Sequence, residues 1–224
     1  MLSTGPESAT YWPEYYRITR ARPPRELLRV ALRLAGITAN KTPVAIDIGS
    51  GAGVETVELL RQGWSVHAID SQLAAITSLQ LAIPSEYRDR CTTTIGPIET
   101  RQLPKADLIW AGASLPFLTP LAFASVWSKI VSSLKDDGIF AGDLFGKRHG
   151  WSEKANMNFH TSREVKAMLS PLRIDYFVSE EGRRVTAMDG VLHWHAFGVI
   201  ASKPTRPAVA HLRAETASPS KEQS

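Results

Sequence analysis

The sequence predicts a doubly wound α/β protein whose mainly parallel, seven-stranded sheet carries an antiparallel seventh strand. Three observations lead there. From Pro43 onward, short β-rich runs alternate with helical stretches in five successive units, the pattern of βα repeats around a parallel sheet. The last two β-rich runs follow one another across a turn with Gly182 and Asp189-Gly190, as antiparallel neighbours do. A glycine-rich turn, Gly49-Ser50-Gly51-Ala52-Gly53, sits where the first strand hands over to a helix.

Taken in order, residues 1–23 are aromatic, basic and irregular, and read as a cap segment ahead of a domain over 24–203. A helix is expected over 24–35, with proline in its first turn and Gly36 just past its end. Leu27, Leu28, Ala31, Leu32 and Ala35 mark its buried side, whereas Arg25, Arg29 and Arg33 form a stripe that reads first as a solvated face. Strands are expected over 44–48, 65–69, 92–95, 107–110 and 139–144, and helices over 54–62, 72–83 and 121–134. Thr161 and Glu164 stand at capping-box spacing before a further helix. Strands over 174–178 and 191–201 complete the sheet.

The 224 residues suffice for one α/β domain with a substantial core. A hydrophobic fraction of 43% and a charged fraction of 21% are those of a water-soluble globular chain. No apolar run approaches the ~20 residues that a membrane span requires. The start, Met1-Leu2-Ser3-Thr4-Gly5-Pro6-Glu7, lacks the basic and apolar regions of a signal peptide, which favours the cytoplasm. One cysteine, Cys91, excludes an internal disulfide and a cysteine-built zinc site, and no metal is expected. Residues 204–224 are rich in Pro, Ala, Ser and Thr without an apolar period, and read as a disordered tail. Counted from Lys203, the end of the chain supplies two of the four net positive charges, so the folded part is only mildly basic and no nucleic-acid partner is expected.

The chemistry concentrates at the glycine turn. Without a Cβ, glycine lets a ligand approach the backbone, and the helix start behind it offers free N–H groups. The spacing is Gly-x-Gly-x-Gly, not the Gly-x-Gly-x-x-Gly of the dinucleotide fingerprint. Asp47 stands two positions before the first glycine, placed to hold the turn and to lie near a cationic ligand. Asp70 ends strand two, seventeen positions after Gly53, where a carboxylate can accept both hydroxyls of a ribose.

Together these residues resemble motif I and the following acidic residue of class I S-adenosylmethionine-dependent methyltransferases, whose fold is Rossmann-like. The resemblance runs over roughly residues 11–203. It implies S-adenosylmethionine as cofactor, with Gly49, Ser50, Gly51 and Gly53 around its methionine part, Asp70 on the ribose and Leu73 against the adenine. After strand three, Pro97 stands where the family usually has aspartate, so the group that reads the adenine amino group is open between the Ile98 backbone and Glu99. Trp110 and Ala111, ending strand four, are implied to face the methionine end. Tyr16-Arg17-Ile18-Thr19-Arg20 is similar to a Tyr-x-x-Thr-Arg pattern of small tellurite-resistance-type methyltransferases. That likeness implies a segment folded over the cofactor, with Arg20 near its carboxylate and Tyr16 near its methyl group.

For the methyl acceptor, topology names the segments. Ligands of open α/β sheets bind beyond the carboxyl ends of the parallel strands, where an antiparallel strand seven begins. This brings Tyr16, Arg148, Trp151 and His193 toward one place, with His195 about 7 Å deeper on the same face and Trp194 pointing the other way. In that arrangement the aromatic rings shield the cofactor while Arg148 and His193 orient the acceptor. The competing reading makes His193, His195 and Trp151 packing residues and Arg148 a solvated charge. A small-molecule acceptor is expected, because Ala111-Gly112-Ala113-Ser114 lacks the cluster that amino-methylating DNA enzymes use against a flipped base. A nicotinamide-dependent oxidoreductase on the same architecture and a non-catalytic cofactor-binding module are the alternatives.

Overall fold

The computed structural model describes Pro6, residues 10–36 and residues 42–205. The tail expected from 204 therefore falls, beyond Thr205, outside the described residues, as does most of the segment before Thr10.

Seven strands form one sheet in the order β3-β2-β1-β4-β5-β7-β6. They are β1 (Val44–Ile48), β2 (Ser65–Asp70), β3 (Cys91–Ile95), β4 (Ala106–Ala111), β5 (Leu134–Phe145), β6 (Arg173–Val185) and β7 (Val191–Ser202). The first five run parallel, while β7 pairs antiparallel with both β5 and β6. The sheet thus has the expected count, directions and antiparallel seventh strand.

Alternation along the central strands builds two cores. Ile46, Ile109, Phe140 and Leu144 point to one face, against α5 (Pro120–Ser133) and α6 (Ser162–Met168). Ala45, Leu108, Trp110 and Ala141 point to the other, against α2 (Glu26–Ala35), α3 (Val54–Arg61) and α4 (Leu73–Ala82). Strands covered on both faces are apolar on both, which explains why the parallel core reads as continuous hydrophobic runs.

Two regions differ from expectation. Residues read as irregular contain α1 (Tyr11–Thr19), whose Trp12, Tyr15 and Tyr16 share one side and pack on Ala52 and Ala75 at the carboxyl edge of the sheet. The hairpin of β6 and β7 is also longer than predicted, pairing from Arg173↔Ser202 out to Val185↔Val191. Its outer half is a two-stranded ribbon that projects past β5, so it lacks the apolar alternation of a half-buried strand.

Candidate active site

A cavity of about 900 Å³ opens at the carboxyl edge of the parallel strands. Its floor is the turn after β1. The Gly49 and Ser50 N–H groups donate to the Ile69 carbonyl at 2.8 and 3.1 Å, tying this turn to β2. Gly49 has φ +73°, and a Cβ there would lie 2.3 Å from Ser114 Cβ. Ser114 is held down by its hydroxyl, which donates to the Ile48 carbonyl at 2.6 Å. Gly51 has φ +53°, with the Tyr16 ring 3.4 Å from where its Cβ would stand. Both positions favour glycine for conformation, and Gly49 requires it for closeness as well. Gly53 starts α3 and lies against Leu79 instead, away from the cavity wall.

Asp70 is the carboxylate of this floor. Its Oδ2 accepts from Gly51 N–H and its Oδ1 from Gln72 N–H, both at 2.9 Å, and the Tyr16 hydroxyl reaches Oδ1 at 3.5 Å. Burial holds the Asp70 carboxyl above its ordinary range, against the opposing pull of those N–H groups. The same carboxylate pushes the Tyr16 hydroxyl up, with desolvation as the larger cause.

Asp47 faces the interior, not the cavity. Its Oδ2 accepts from the Thr56 hydroxyl at 2.6 Å, anchoring α3. Burial raises it to about 7, and the nearby Glu55 and Asp70 charges add to the rise. It therefore does hold the turn, but from below.

Pro97 and Ile98, expected beside the adenine, are in the cavity wall with Glu99 next to them. Leu73 is not in that wall. It is 65% exposed at the first position of α4, and Gln72 lines the cavity in its place. Trp110, expected near the methionine part, lines the cavity beneath Gly112, where a Cβ would lie 2.5 Å from the indole. Ala111 is turned by strand alternation into the opposite core.

Arg20 is exposed and outside the cavity, whereas Arg22 and Arg25 line it. Arg22 makes a two-pronged ion pair with the buried Glu55, at 2.6 and 2.7 Å, and the Arg25 N–H donates to Glu55 Oε1 at 3.2 Å. The remaining arginines of the expected stripe, Arg29 and Arg33, reach Glu26 on the surface.

The acceptor end corrects two assignments. Trp151 and Tyr16 line the cavity, but Arg148 and His193 do not. Arg148 Nε donates to Glu181 Oε1 at 2.6 Å, and His193 Nε2 lies 3.2 Å from the same oxygen. The reason is register. Phe145 of β5 pairs with Ala196 of β7, so Ala196 and Trp194 share Phe145's side and Trp194 reaches the cavity. His193 and His195 are sent to the reverse side. His195 is buried there, and its Nδ1 accepts from the Arg148 N–H at 3.1 Å, propping the loop after β5.

The hairpin tip closes the rim. Residues 184–189 line the cavity, and the Tyr11 hydroxyl donates to Asp189 Oδ2 at 2.7 Å, joining α1 to the tip. Sequence reasoning missed Arg22, Arg25, Glu55 and Trp194, whereas Ser114 lies in the segment 111–116 that topology places at this edge. Of the four, Arg25 carried a signal, as the member of its stripe nearest the start of its helix. Among the described residues, no group of three or more histidine, cysteine, aspartate or glutamate side chains is arranged to hold a metal ion, and no helix is long and apolar enough to cross a membrane.

No protein-family model matches the sequence, and no curated protein sequence matches it. Solved structures do. TehB from Haemophilus influenzae superposes with a TM-score of 0.66 at 14% identity, over 86% of this chain and 66% of that one. The N-methyltransferase NodS from Bradyrhizobium japonicum, in complex with S-adenosylhomocysteine, gives 0.62 at 15% identity, over 86% and 100%. The 1,6-didemethyltoxoflavin-N1-methyltransferase from Burkholderia thailandensis gives 0.62 at 18% identity, over 88% and 87%. The fold is that of class I S-adenosylmethionine-dependent methyltransferases.

Proposed function

We propose that this protein transfers a methyl group from S-adenosylmethionine to a small organic acceptor held in the same cavity. The observation that carries the reading is Asp70, a carboxylate at the end of β2, fixed by two backbone N–H groups beside the positive-φ glycine turn. That placement suits the two hydroxyls of a ribose. A methyl donor of this kind supplies an electrophilic carbon: the acceptor's lone pair bonds to it as the S–CH₃ pair returns to sulfur.

The residues present fit such a ligand. The Ser50 hydroxyl, buried in the cavity floor, has no hydrogen-bond partner among the described residues and can serve a polar ligand atom. Arg25, whose buried Nε has no hydrogen-bond partner among the described residues, stands where a ligand carboxylate needs a countercharge. Burial holds the Asp70 and Asp47 carboxyls above their usual range, so a cationic ligand nearby favours their charged forms. The Tyr16 and Trp110 rings exclude water from the methionine end and attract positive charge with their faces. The antiparallel β7 favours this reading over a nicotinamide oxidoreductase, whose sheet runs 3-2-1-4-5-6 in parallel. Two of the neighbouring structures, NodS and the toxoflavin enzyme, bear names of small-molecule methylation, which supports an acceptor of that size.

The test is calorimetric titration with S-adenosylhomocysteine and with NAD. The wild-type chain is expected to bind the former and ignore the latter. Asp70→Asn, which keeps the shape, is expected to weaken binding at least tenfold, since charge-assisted hydrogen bonds contribute ~1.5–3 kcal/mol each. Unchanged affinity in a folded variant removes Asp70 from the site and the reading with it.

A further inference from the structure

Five aromatic side chains of the cavity lining gather into one cluster: Trp12, Phe117, Phe145, Trp151 and Trp194. They come from α1, the loop after β4, the end of β5 with the loop that follows it, and β7, so three distant parts of the chain besides α1 converge there. Their rings form a connected wall. Trp12 meets Phe117 edge-to-face at 4.8 Å, Phe117 meets Phe145 at 6.0 Å, and Phe145 meets Trp194 at 5.2 Å. Trp151 stands 6.0 Å from Phe117 and 6.1 Å from Phe145.

The wall is fixed from behind. The buried His149 stacks on Phe145 with ring centroids 4.1 Å apart and 11° between planes, and its Nδ1 accepts from the Trp151 N–H at 3.1 Å. Rings held at mixed angles present both faces and edges, which suits stacking and edge contacts with a flat ligand.

The charges beside the wall narrow the ligand further. Arg184 lines the cavity, lies over the Trp194 ring at 5.7 Å and is paired with Glu180 at 2.8 Å, and Lys154 lines the cavity as well. Asp189 is the carboxylate of the rim, and its Oδ2 accepts from the Tyr11 hydroxyl. The Arg184 guanidinium already holds the cation position over the Trp194 ring, which disfavours an ammonium ligand there. An inorganic oxyanion needs several converging donors, yet Arg148 is engaged by Glu181 on the reverse side and Arg22 by Glu55.

We infer that the methyl acceptor is a planar aromatic or heteroaromatic molecule, neutral or anionic, stacked within the wall of Trp12, Phe117, Phe145, Trp151 and Trp194. The inference rests on the methyltransferase reading and names the substrate class of that site.

The test uses the full chain and four probes, 2-naphthoate, its saturated decahydro analogue, 2-naphthylmethylamine and tellurite, each titrated with and without saturating S-adenosylhomocysteine. The expected result is that 2-naphthoate binds at least tenfold more tightly than each of the other three. Trp194→Leu and Trp151→Leu are expected to weaken 2-naphthoate at least tenfold and to shift S-adenosylhomocysteine affinity by less than twofold. Equal binding of the saturated acid, preference for the amine or tellurite, or undiminished naphthoate binding in folded variants overturns the inference. The first two arms use wild-type protein alone, so they decide the matter even where a variant does not fold. Failure to bind S-adenosylhomocysteine while naphthoate binds overturns the methyltransferase reading and leaves the aromatic subsite standing.

Discussion

His149 shows how one side chain ties stability to pH. Burial, reinforced by the neighbouring His195 and His193, pulls its imidazole down to about 4. The ordinary value lies near ~6.5. A group depressed in this way contributes stability that is present above pH ~6.5 and is lost as pH falls toward 4. Between pH 7 and pH 5 the loss amounts to ~2 kcal/mol. Asp47 works in the opposite sense: raised to about 7, it stabilises most at low pH and loses that contribution as pH rises through 7. The two trends offset one another in the wild-type chain, so the difference between wild type and His149→Phe isolates the histidine. Urea denaturation at pH 7 and pH 5 is expected to show the variant gaining ~2 kcal/mol relative to wild type on acidification. A constant difference between the two proteins contradicts the assignment.

At the scale of elements, the capping box offers the sharpest test. The Thr161 hydroxyl accepts from the Glu164 N–H at 3.2 Å, and Glu164 Oε2 accepts from the Thr161 N–H at 2.6 Å. The helix they begin, α6, is seven residues long, so its first turn is most of its length. Thr161→Ala is expected to lower unfolding free energy by ~1 kcal/mol, and to leave S-adenosylhomocysteine affinity alone, since α6 lies outside the cavity wall. An unaltered denaturation midpoint refutes the expected effect. This box was legible from two residues because it is local. The central parallel strands β1, β4 and β5 were legible for a related reason, since burial on both faces writes itself into an apolar run. The α1 helix was not, because Trp12, Tyr15 and Tyr16 give it one aromatic side in only nine residues. The facing of β7 was hidden for a different cause. Alternation correctly separates Trp194 from His193 and His195, but which set meets the cavity depends on the pairing of Phe145 with Ala196, a contact between distant parts of the chain. The glycine turn and Asp70 were visible because their spacing along the chain is itself the geometry. The arginines were not, because a helix start chooses which of several nearby arginines turns inward, and Arg22 and Arg25 take the place expected for Arg20.

For the molecule as a whole, the sheet and its two cores set what the chain can do without. Described structure ends at Thr205, whose hydroxyl donates to Asp137 Oδ1 at 2.7 Å, one residue inside the segment first read as tail. Residues 206–224 lack an apolar period, and their removal is expected to leave both the melting temperature and S-adenosylhomocysteine affinity unchanged. A drop of several degrees in a scanning calorimeter contradicts that expectation. The bond between Tyr11 and Asp189 bears on time instead. It spans 178 positions of sequence and joins α1 to the hairpin tip across the rim. One such hydrogen bond is worth ~1 kcal/mol net. An enzyme turning over at ~10 s⁻¹ climbs a barrier of ~16 kcal/mol. Breaking this bond alone is therefore a minor fraction of that climb, and it can break and re-form many times at such a rate. The bond biases the cavity toward closure without setting the pace at which molecules come and go.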